Sequence, residues 1–363
     1  MVKKSGIDID LGNRCSQIAY NWAKKTFANR DELAGEMLKT TDGTFSNIIR
    51  FGNSRIGISS DGIGTKIELA ERTNNYRSIG SDLLAMVTDD LIANGFEPTN
   101  ISNILDVDFL DADIVDELMH GLHDAAGFAK VAITGGEIAE LGNRIGGYGD
   151  RMHFNWCATA IGLLPDKLQK PIDGSEIEIG DEIISLRSRG FRSNGFSLLR
   201  TIMQNIFGTN WHHQPYDEGT SWGDKLLTPS LIYAPLVTAL IKENLIPSGI
   251  AHITGGGIAD NLGRVLKANK LGAELDTLHA PRKFMSEIQK IGNVSETQAY
   301  NIWNMGNGML IITNPDYTQD ILLKASGMGY EAVVAGKVVS ENTIKIRSMG
   351  IQPQELVYQN TEK

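Results

Sequence analysis

Apolar residues recur along the chain with the period of strands in some segments and with the period of helices in others. In the first half, this pattern predicts two helices set between short strands. The strands are expected near 55–60, 100–107, 130–134 and 155–164, and the helices near 80–95 and 112–127. Such interleaving predicts an α/β or α+β fold.

The second half of the chain mixes the same two patterns. Strands are predicted at 182–187, 308–313 and 331–339, and helices at 194–207, 229–244, 258–269 and 295–303. Two prolines and several turn formers at 164–174 predict a junction between the halves. We therefore expect an N-terminal domain at 1–168, a C-terminal domain at 169–349 and a loosely attached tail at 350–363.

Composition and charge exclude several classes of function. The chain of 363 residues carries 34 basic and 44 acidic side chains, a net charge of -10, which argues against a broad nucleic-acid or anionic-membrane surface. No apolar run is long enough to span a bilayer, and the first ten residues turn acidic where a signal peptide would turn apolar. Cys15 and Cys157 lie far apart and predict neither a disulfide framework nor a zinc site. We expect a cytoplasmic protein.

A glycine-rich segment after the first strand has the composition of a phosphate site. It contains Asp61, Gly62, Gly64, Thr65 and Lys66. Glycines allow successive backbone N–H groups to face an anion, and the lysine adds a point charge. The aspartate repels phosphate unless Mg²⁺ bridges the two. The competing interpretation is a strand that ends in an ordinary glycine turn.

The helix predicted at 81–95 carries three carboxylates. Asp82 and Asp89 lie seven positions apart, opposite an apolar stripe, and Asp90 is adjacent, so the carboxylates could project together toward a cation. The alternative is an acidic face exposed to solvent.

A second glycine turn is predicted after the strand near 130–134. Here Gly135 and Gly136 precede Glu137, which could share a magnesium ion with Asp61 and Asp90. A simple Gly-Gly turn without a ligand is the alternative.

Two segments of the second half are candidate anion sites. Arg192, Ser193, Asn194 and Gly195 precede an amphipathic helix whose free N–H groups suit a phosphate, although a plain helix cap explains the same residues. Another helix begins after the segment His252, Ile253, Thr254, Gly255, Gly256 and Gly257. Three successive glycines are costly unless the backbone must bend or approach a ligand closely, and a tight helix entry with a structural histidine is the alternative.

In their order along the chain, these segments resemble the phosphoribosylformylglycinamidine cyclo-ligase family, the aminoimidazole ribonucleotide synthetases or PurM proteins of purine synthesis. The resemblance spans nearly the whole chain. The matching segments are SGIDIDLGN at 5–13, SSDGIGTK, IGSDLLAMVTDDLIANGFEP, TGGEIAEL, RSNGFSLLR, AHITGGGIADNLGRVL and NMGNGM.

The resemblance implies an ATP- and Mg²⁺-dependent ring closure. In the family, ATP activates the formyl-derived amide oxygen of formylglycinamidine ribonucleotide, and a substrate nitrogen attacks that carbon to form aminoimidazole ribonucleotide. The resemblance also implies a two-domain PurM-like fold, with an N-terminal α/β domain whose strands pair across a homodimer and a C-terminal α/β domain.

The resemblance further implies roles for individual residues. We expect Lys66 and Arg192 to act most directly in catalysis, the first as a charge on ATP and the second as a phosphate ligand. Asp61, Asp90 and Glu137 would hold Mg²⁺. The ATP site would be lined by Asp61, Gly62, Gly64, Thr65, Lys66, Asp82, Asp90, Gly135, Gly136 and Glu137, and the ribonucleotide site by Ser193, Asn194, Gly195, Thr254, Gly255, Gly256 and Gly257.

Four positions depart from the family pattern. Arg192 replaces a histidine and stays protonated, so it cannot shuttle a proton near neutral pH. Asp89 replaces an asparagine, and Leu231 and Pro235 replace basic residues of the family segment TPTRIYVK. These changes are expected in a divergent branch with the same reaction, in a relative with another acceptor, such as the selenophosphate synthetases, thiamine monophosphate kinases or hydrogenase maturation factors, or in a non-catalytic nucleotide-binding paralogue. We favour the first.

Overall fold

The computed structural model describes residues 9–38 and 44–360, which form two mixed α/β units on separate sheets. The family-like segment at 5–13 begins outside these residues, as do the last three residues of the predicted tail. Within the described ranges, no helix combines the length and the apolar character needed to cross a bilayer.

The N-terminal sheet has six strands in the order β1-β2-β3-β6-β4-β5. All neighbours are antiparallel except β4 and β5. The strands are β1 (Glu36–Met37), β2 (Asn47–Phe51), β3 (Ser54–Gly62), β4 (Glu97–Val107), β5 (Ala132–Glu140) and β6 (Phe154–Leu163). The helices of this part are α1 (Ile9–Lys25), α2 (Ile67–Thr73), α3 (Ile79–Ala93) and α4 (Ala112–Ala129), with 3₁₀ turns at Phe27–Arg30, Gly64–Lys66 and Gly142–Arg144.

The C-terminal sheet has seven strands in the order β10-β12-β7-β13-β11-β14-β15. Its strands are β7 (Glu182–Arg187), β10 (Gly249–His252), β11 (Gly272–Leu275), β12 (Asn307–Thr313), β13 (Ala332–Val339), β14 (Thr343–Arg347) and β15 (Glu355–Gln359), and a separate hairpin joins β8 (Pro215–Asp217) to β9 (Thr220–Ser221). The helices are α5 (Phe196–Phe207), α6 (Trp222–Leu226), α7 (Ala234–Lys242), α8 (Gly257–Leu266), α9 (Lys283–Ile291), α10 (Glu296–Ile302) and α11 (Pro315–Gly327), with 3₁₀ turns at Trp211–His213 and Lys267–Asn269.

Helix α3 is the element that positions the functional region. It packs against β3 and β6 of its own sheet and against α7 and β10 of the C-terminal unit. Its apolar stripe, which includes Leu83, Leu84, Val87 and Leu91, is completely buried. Because the opposite face meets the second unit, α3 is a central helix, and its polar residues Asp82, Thr88 and Asp89 are buried.

Most predicted elements are confirmed, and three predictions need correction. The expected glycine turn at 135–136 is instead the middle of β5, which runs straight through both glycines beside β4. The helix expected from 229 begins only at Ala234, with Pro235 in its first turn, where a missing N–H costs nothing. Residues 355–359 of the expected tail are β15, hydrogen-bonded along β14. The strands of the N-terminal sheet all precede residue 168, and those of the C-terminal sheet all follow it. The exact position of the domain boundary at 168 stays a prediction.

Candidate active site between the two sheets

The first carboxylate of α3, that of Asp82, forms a buried ion pair with the ammonium group of Lys66. Asp82 accepts from Lys66, whose Nζ lies 2.7 Å from Oδ2, and from the backbone N–H and hydroxyl of Ser230. Lys66 also donates to the Thr228 carbonyl at 2.8 Å, and neither charged side chain has any exposed surface. Burial lowers the pKa of Lys66, and the facing Asp82 opposes that shift. Within this chain both side chains are already paired, contrary to the prediction that they line the ATP site.

The second carboxylate of α3 caps a helix of the other unit. Asp89 Oδ1 accepts from the N–H groups of Tyr233 and Ala234, at 2.8 and 3.0 Å, where α7 begins. Its Oδ2 lies 2.8 Å from Arg192 Nη2. A carboxylate at a helix N-terminus is favourable because unpaired N–H groups and the helix dipole are both positive there. The alternative of a solvent-exposed acidic face is therefore wrong for Asp82 and Asp89.

Arg192 is buried within this network and is not available to a substrate phosphate. Its side chain is 1% exposed, and it donates to Asp89, to the Leu231 carbonyl and to His252. Burial disfavours its charge, but Asp89 more than compensates and raises its pKa. The prediction that Arg192 binds phosphate is corrected: its guanidinium joins the two units.

Three departures from the family pattern meet at this guanidinium. Arg192 pairs with Asp89, and the carbonyl that accepts from Nη1 belongs to Leu231. Relative to the asparagine and histidine that the resemblance implies at 89 and 192, Asp89 and Arg192 replace a neutral pair by an ion pair. The departures at Asp89 and Arg192 are therefore structurally linked.

Asp61 and Asp90, termed the acidic centre, are both partly exposed and their charges interact; the region between the two units around these carboxylates is termed the cleft. His252 Nδ1 lies 2.8 Å from Asp90 Oδ1, and the Ser59 hydroxyl donates to Asp90 Oδ2 at 3.2 Å. Burial raises the pKa of Asp61 to about 6; the Gly62 N–H opposes the shift and the Asp90 charge adds to it. A cation would relieve this repulsion, and Mg²⁺ commonly uses only one or two carboxylates with water and phosphate oxygens. The donor set formed by Asp61 and Asp90 fits such an ion.

Glu137 does not join these two carboxylates within the chain. On β5, Glu137 lies beside Ile104 of β4. Ile104 in turn lies beside Cys157 of β6, and Cys157 lies beside Gly62 of β3. Three strand spacings of about 4.8 Å separate Glu137 from the end of β3 by roughly 14 Å. Among the residues that the structure describes, no group of three histidines, cysteines or carboxylates could hold a metal ion. The predicted three-carboxylate metal site is therefore wrong for a single chain.

The glycine turns of the two units meet beside the acidic centre. A side chain on Gly64 would come within 3.9 Å of the Ser193 carbonyl, and one on Gly255 within 3.6 Å of Asn194 Oδ1. Thr65 Oγ1 lies 3.3 Å from Ser197 Oγ in the first turn of α5. The fold thus brings together the segments near Gly64, Ser193 and Gly255. The first two are more than a hundred residues apart in the sequence, and the last two about sixty.

Two polar side chains in this region lack protein partners. Ser193 Oγ and Asn194 Nδ2 are buried and make no hydrogen bond to the residues that the structure describes. Buried polar groups are nearly always satisfied, so atoms of this kind beside a glycine turn indicate a place for a ligand. They are the observation that best supports the predicted substrate roles of Ser193 and Asn194.

Several predicted site glycines also have a packing role. A side chain on Gly195 would come within 2.3 Å of the Trp303 ring, and one on Gly257 within 1.9 Å of the Tyr300 carbonyl. Both have positive φ angles, 76° and 70°, which glycine adopts without strain. Close helix packing therefore explains these two glycines whether or not a ligand approaches them. Gly136 similarly lies against Asn103, far from the acidic centre.

His252 has a more central position in this network than the sequence indicates. The sequence offers a structural histidine only as the alternative to an anion site, and in the fold His252 joins Arg192 to Asp90 and is completely buried. Only its position next to a run of three glycines could have indicated a site. A cavity of about 430 Å³ elsewhere is lined by residues of β11, β14 and the start of β15 and contains none of the predicted site residues.

Comparison with known proteins identifies relatives over both units. Residues 44–164 match the family described as AIR synthase related protein, N-terminal domain, and residues 178–348 match the corresponding C-terminal domain. The chain is 33% identical over 340 residues to the phosphoribosylformylglycinamidine cyclo-ligase of Trichlorobacter lovleyi, covering 93% of this chain and 94% of that protein. It is 32% identical over 346 residues to the enzyme of the same name from Methanobrevibacter smithii, covering 95% and 96%.

Solved structures with lower identity share the fold. AaThiL in complex with AMPPCP and TMP superposes with a TM-score of 0.62 at 13% identity, covering 94% of this chain and 96% of that one. The thiamine-monophosphate kinase of Stenotrophomonas maltophilia K279a gives a TM-score of 0.59 at 14% identity, covering 87% and 92%. The two-domain architecture is therefore shared beyond the relatives found by sequence.

Proposed function

Because the chain belongs to the phosphoribosylformylglycinamidine cyclo-ligase family, we propose that it closes the imidazole ring of aminoimidazole ribonucleotide at the expense of ATP. The observation that supports this most strongly is the match to cyclo-ligases along 93% of the chain, through both domains in order. The cleft adds local support, since the turns after β3 and before α5 and α8 meet beside Asp61 and Asp90.

The reaction requires an amide oxygen to become a leaving group. The amide oxygen of formylglycinamidine ribonucleotide attacks the γ-phosphorus of ATP, and ADP leaves. A substrate nitrogen then attacks the activated carbon, and the C–O bond breaks to release phosphate. Such chemistry needs oriented dipoles and positive charge more than a protein nucleophile.

We assign the binding roles as follows. The backbone N–H groups near Gly62, Gly64 and Thr65 bind ATP phosphates, and Ser193 and Asn194 bind the ribonucleotide with their unpaired polar atoms. Magnesium, which would be held by Asp61 and Asp90, would supply charge neutralisation of the phosphates. Buried Lys66, Asp82 and Arg192 hold the two units in register instead of touching the substrate.

The direct test is the stoichiometric formation of ADP and aminoimidazole ribonucleotide from formylglycinamidine ribonucleotide, ATP and Mg²⁺. Ser193→Ala should keep the free energy of unfolding, because its hydroxyl has no partner to lose, but raise KM for the ribonucleotide by about 10-fold or more if that hydroxyl binds a charged group. ATP hydrolysis with another acceptor and no aminoimidazole product would contradict the proposal.

We also propose that the protein is a homodimer and acts in the cytoplasm, where ATP is available for purine synthesis. One face of the N-terminal sheet is covered by helices, whereas the other leaves Ile104, Ile161 and Leu163 between 41 and 46% exposed. The register places these side chains on the same face, and β5 at the sheet edge is exposed along most of its length. An uncovered apolar face beside a free edge favours pairing with a second copy.

A further inference from the structure

The hydrogen bonds around His252 define which of its nitrogens carries the proton. Nε2 lies 2.9 Å from Arg192 Nη2, and Nδ1 lies 2.8 Å from Asp90 Oδ1. A guanidinium has only donors and keeps its proton at any ordinary pH, so Nε2 must accept. The hydrogen of the neutral ring therefore sits on Nδ1 and is donated to Asp90.

We infer that Arg192 is a positioning residue: its guanidinium holds His252 in the Nδ1–H tautomer, and that N–H in turn fixes the orientation of the Asp90 carboxylate in the cleft. The Ser59 hydroxyl holds the other oxygen of the same carboxylate. Asp90 is therefore held from both units, by a serine of β3 and, through His252, by an arginine of the C-terminal unit.

Arg192 is itself held firmly enough for this role. Its Nη2 group donates to both Asp89 and His252, and its Nη1 group donates to the Leu231 carbonyl at 3.0 Å. The guanidinium also lies over the Tyr233 ring, 5.0 Å from its centroid. The backbone at Arg192 has φ of 59°, a left-handed conformation that a non-glycine residue keeps only where its surroundings demand it.

Arg192 therefore acts on both adjacent aspartates of α3, directly on Asp89 and through His252 on Asp90. Asp89 is neutralised directly, whereas Asp90 is reached only through the imidazole, which leaves the negative charge of Asp90 available to the cleft. A histidine at 192 could also contact His252, but it could present either a donor or an acceptor. Arginine has only donors, so it removes that choice.

The functional part of this inference rests on the proposed role of Asp90 in the cleft, but the tautomer can be measured without any activity. The full chain labelled with ¹⁵N-histidine is observed by NMR at one fixed pH, with His252→Gln to assign the resonances. We expect wild-type His252 to show a protonated Nδ1 and an unprotonated Nε2. Arg282→Met, which removes an arginine paired with Glu331 instead, is the matched control and should leave the His252 signals unchanged.

The informative variant is D89N/R192M, which removes both charges of the buried pair so that neither is left uncompensated. The Nε2 signal should move toward the protonated range, and Arg192→Lys, which keeps a donor, should remain closer to wild type. In the cyclisation assay, the double variant should raise the KM for Mg·ATP by about 10-fold or more, with a smaller change in kcat, as loss of an outer-shell partner does.

An Nε2-protonated wild type, or identical His252 signals in wild type and D89N/R192M, would overturn the inference. If the wild type makes no aminoimidazole ribonucleotide but the NMR shifts are as expected, the proposed reaction fails and the positioning role of Arg192 stands.

Discussion

Asp89 and Arg192 form an ion pair between the two units, with 2.8 Å between Oδ2 and Nη2 and almost no exposed surface on either side chain. The family resemblance implies asparagine and histidine at these two positions, so both residues are expected departures from it. Each of these buried charges is tolerated because the other supplies its counter-ion.

We predict that the two substitutions toward the family pattern are harmful singly and tolerated together. Asp89→Asn alone leaves Arg192 without a counter-ion, and Arg192→His alone leaves Asp89 without its cation, so each should lower the free energy of unfolding by about 3–5 kcal/mol. The double variant should recover most of that loss. Urea denaturation of the four proteins gives the coupling energy, and simple additivity of the single effects would contradict the expectation.

The second prediction compares a buried ion pair within the N-terminal unit, Lys66–Asp82, with an exposed ion pair between the two units, Lys242–Glu97. Lys66→Met leaves Asp82 buried and unpaired, so a loss of about 3–5 kcal/mol in the free energy of unfolding is expected. Lys242→Met removes the pair with Glu97, whose side chains are 60 and 37% exposed, and should cost less than about 1 kcal/mol. Equal losses in chemical denaturation would show that the burial of Lys66 does not matter.

The third prediction uses two glycines of the same helix, α4. A side chain at Gly121 would lie 1.8 Å from the Arg77 carbonyl, whereas nothing lies within 4 Å of one at Gly127. Gly121→Ala should therefore lower the free energy of unfolding by about 1–3 kcal/mol or more through overpacking. Gly127→Ala should raise it by up to about 1 kcal/mol because alanine has the higher helix propensity. Thermal and urea unfolding should agree on these opposite signs.

The fourth prediction concerns the pH dependence of stability. His153 Nδ1 contacts Asp108 at 2.7 Å and Nε2 contacts the Gly149 carbonyl at 3.1 Å. Burial lowers the pKa of His153, but the hydrogen bond to Asp108 and the charges of Glu71 and Asp108 outweigh that effect, and the pKa is raised.

Because the folded-state pKa lies above the ordinary value of 6.5, the stabilisation is fully present below pH 6.5 and is lost as pH rises through the raised pKa. His153→Gln should remove this component, so wild type should lose more stability than the variant as pH rises above 6.5. Parallel curves for the urea midpoint against pH would rule out the contribution.

The fifth prediction tests the uncovered sheet face. Ile161→Glu places a charge among Ile104 and Leu163 and should convert a dimer into a monomer in analytical ultracentrifugation. The control is Phe128→Glu on α4, where a ring that is 52% exposed belongs to the opposite side of the sheet. If the wild type sediments as a monomer, or if Ile161→Glu leaves a dimer intact, the uncovered face of the N-terminal sheet is not a dimer interface.

The sequence predicted α3 and α4 well because each has a strong helical period, and β7 because it is a short, nearly continuous apolar run. It did not predict that Asp82 and Asp89 are buried, because periodicity identifies the apolar stripe but not what packs on the polar face. That information lies in Ser230 and the start of α7, which are 148 and 144 residues from Asp82 and Asp89 along the chain. The weak strand tendency of Gly135 and Gly136 likewise concealed β5, whose conformation is set by pairing with β4.

The candidate site was predicted in part. The three glycine turns do meet, but Glu137 does not join Asp61, because β6 enters the sheet between β3 and β4 and no local pattern encodes strand order. Lys66 has the residue type and spacing of a phosphate ligand, yet the 3₁₀ turn at Gly64–Lys66 directs it inward to Asp82. Residue type indicated a polar site, and only the tertiary structure showed that Lys66 is buried against Asp82 within it.

The order of the C-terminal strands has a consequence for synthesis on the ribosome. Strand β7 is the first of its sheet to be made, but its neighbours β12 and β13 are among the last. Ile183, Ile184 and Leu186, all buried in the finished sheet, therefore emerge long before the strands that cover them. Non-local pairing of this kind folds slowly and exposes apolar edges. We expect the nascent chain to depend on chaperones until residues 307–339 have left the exit tunnel, and chains truncated before that point to aggregate.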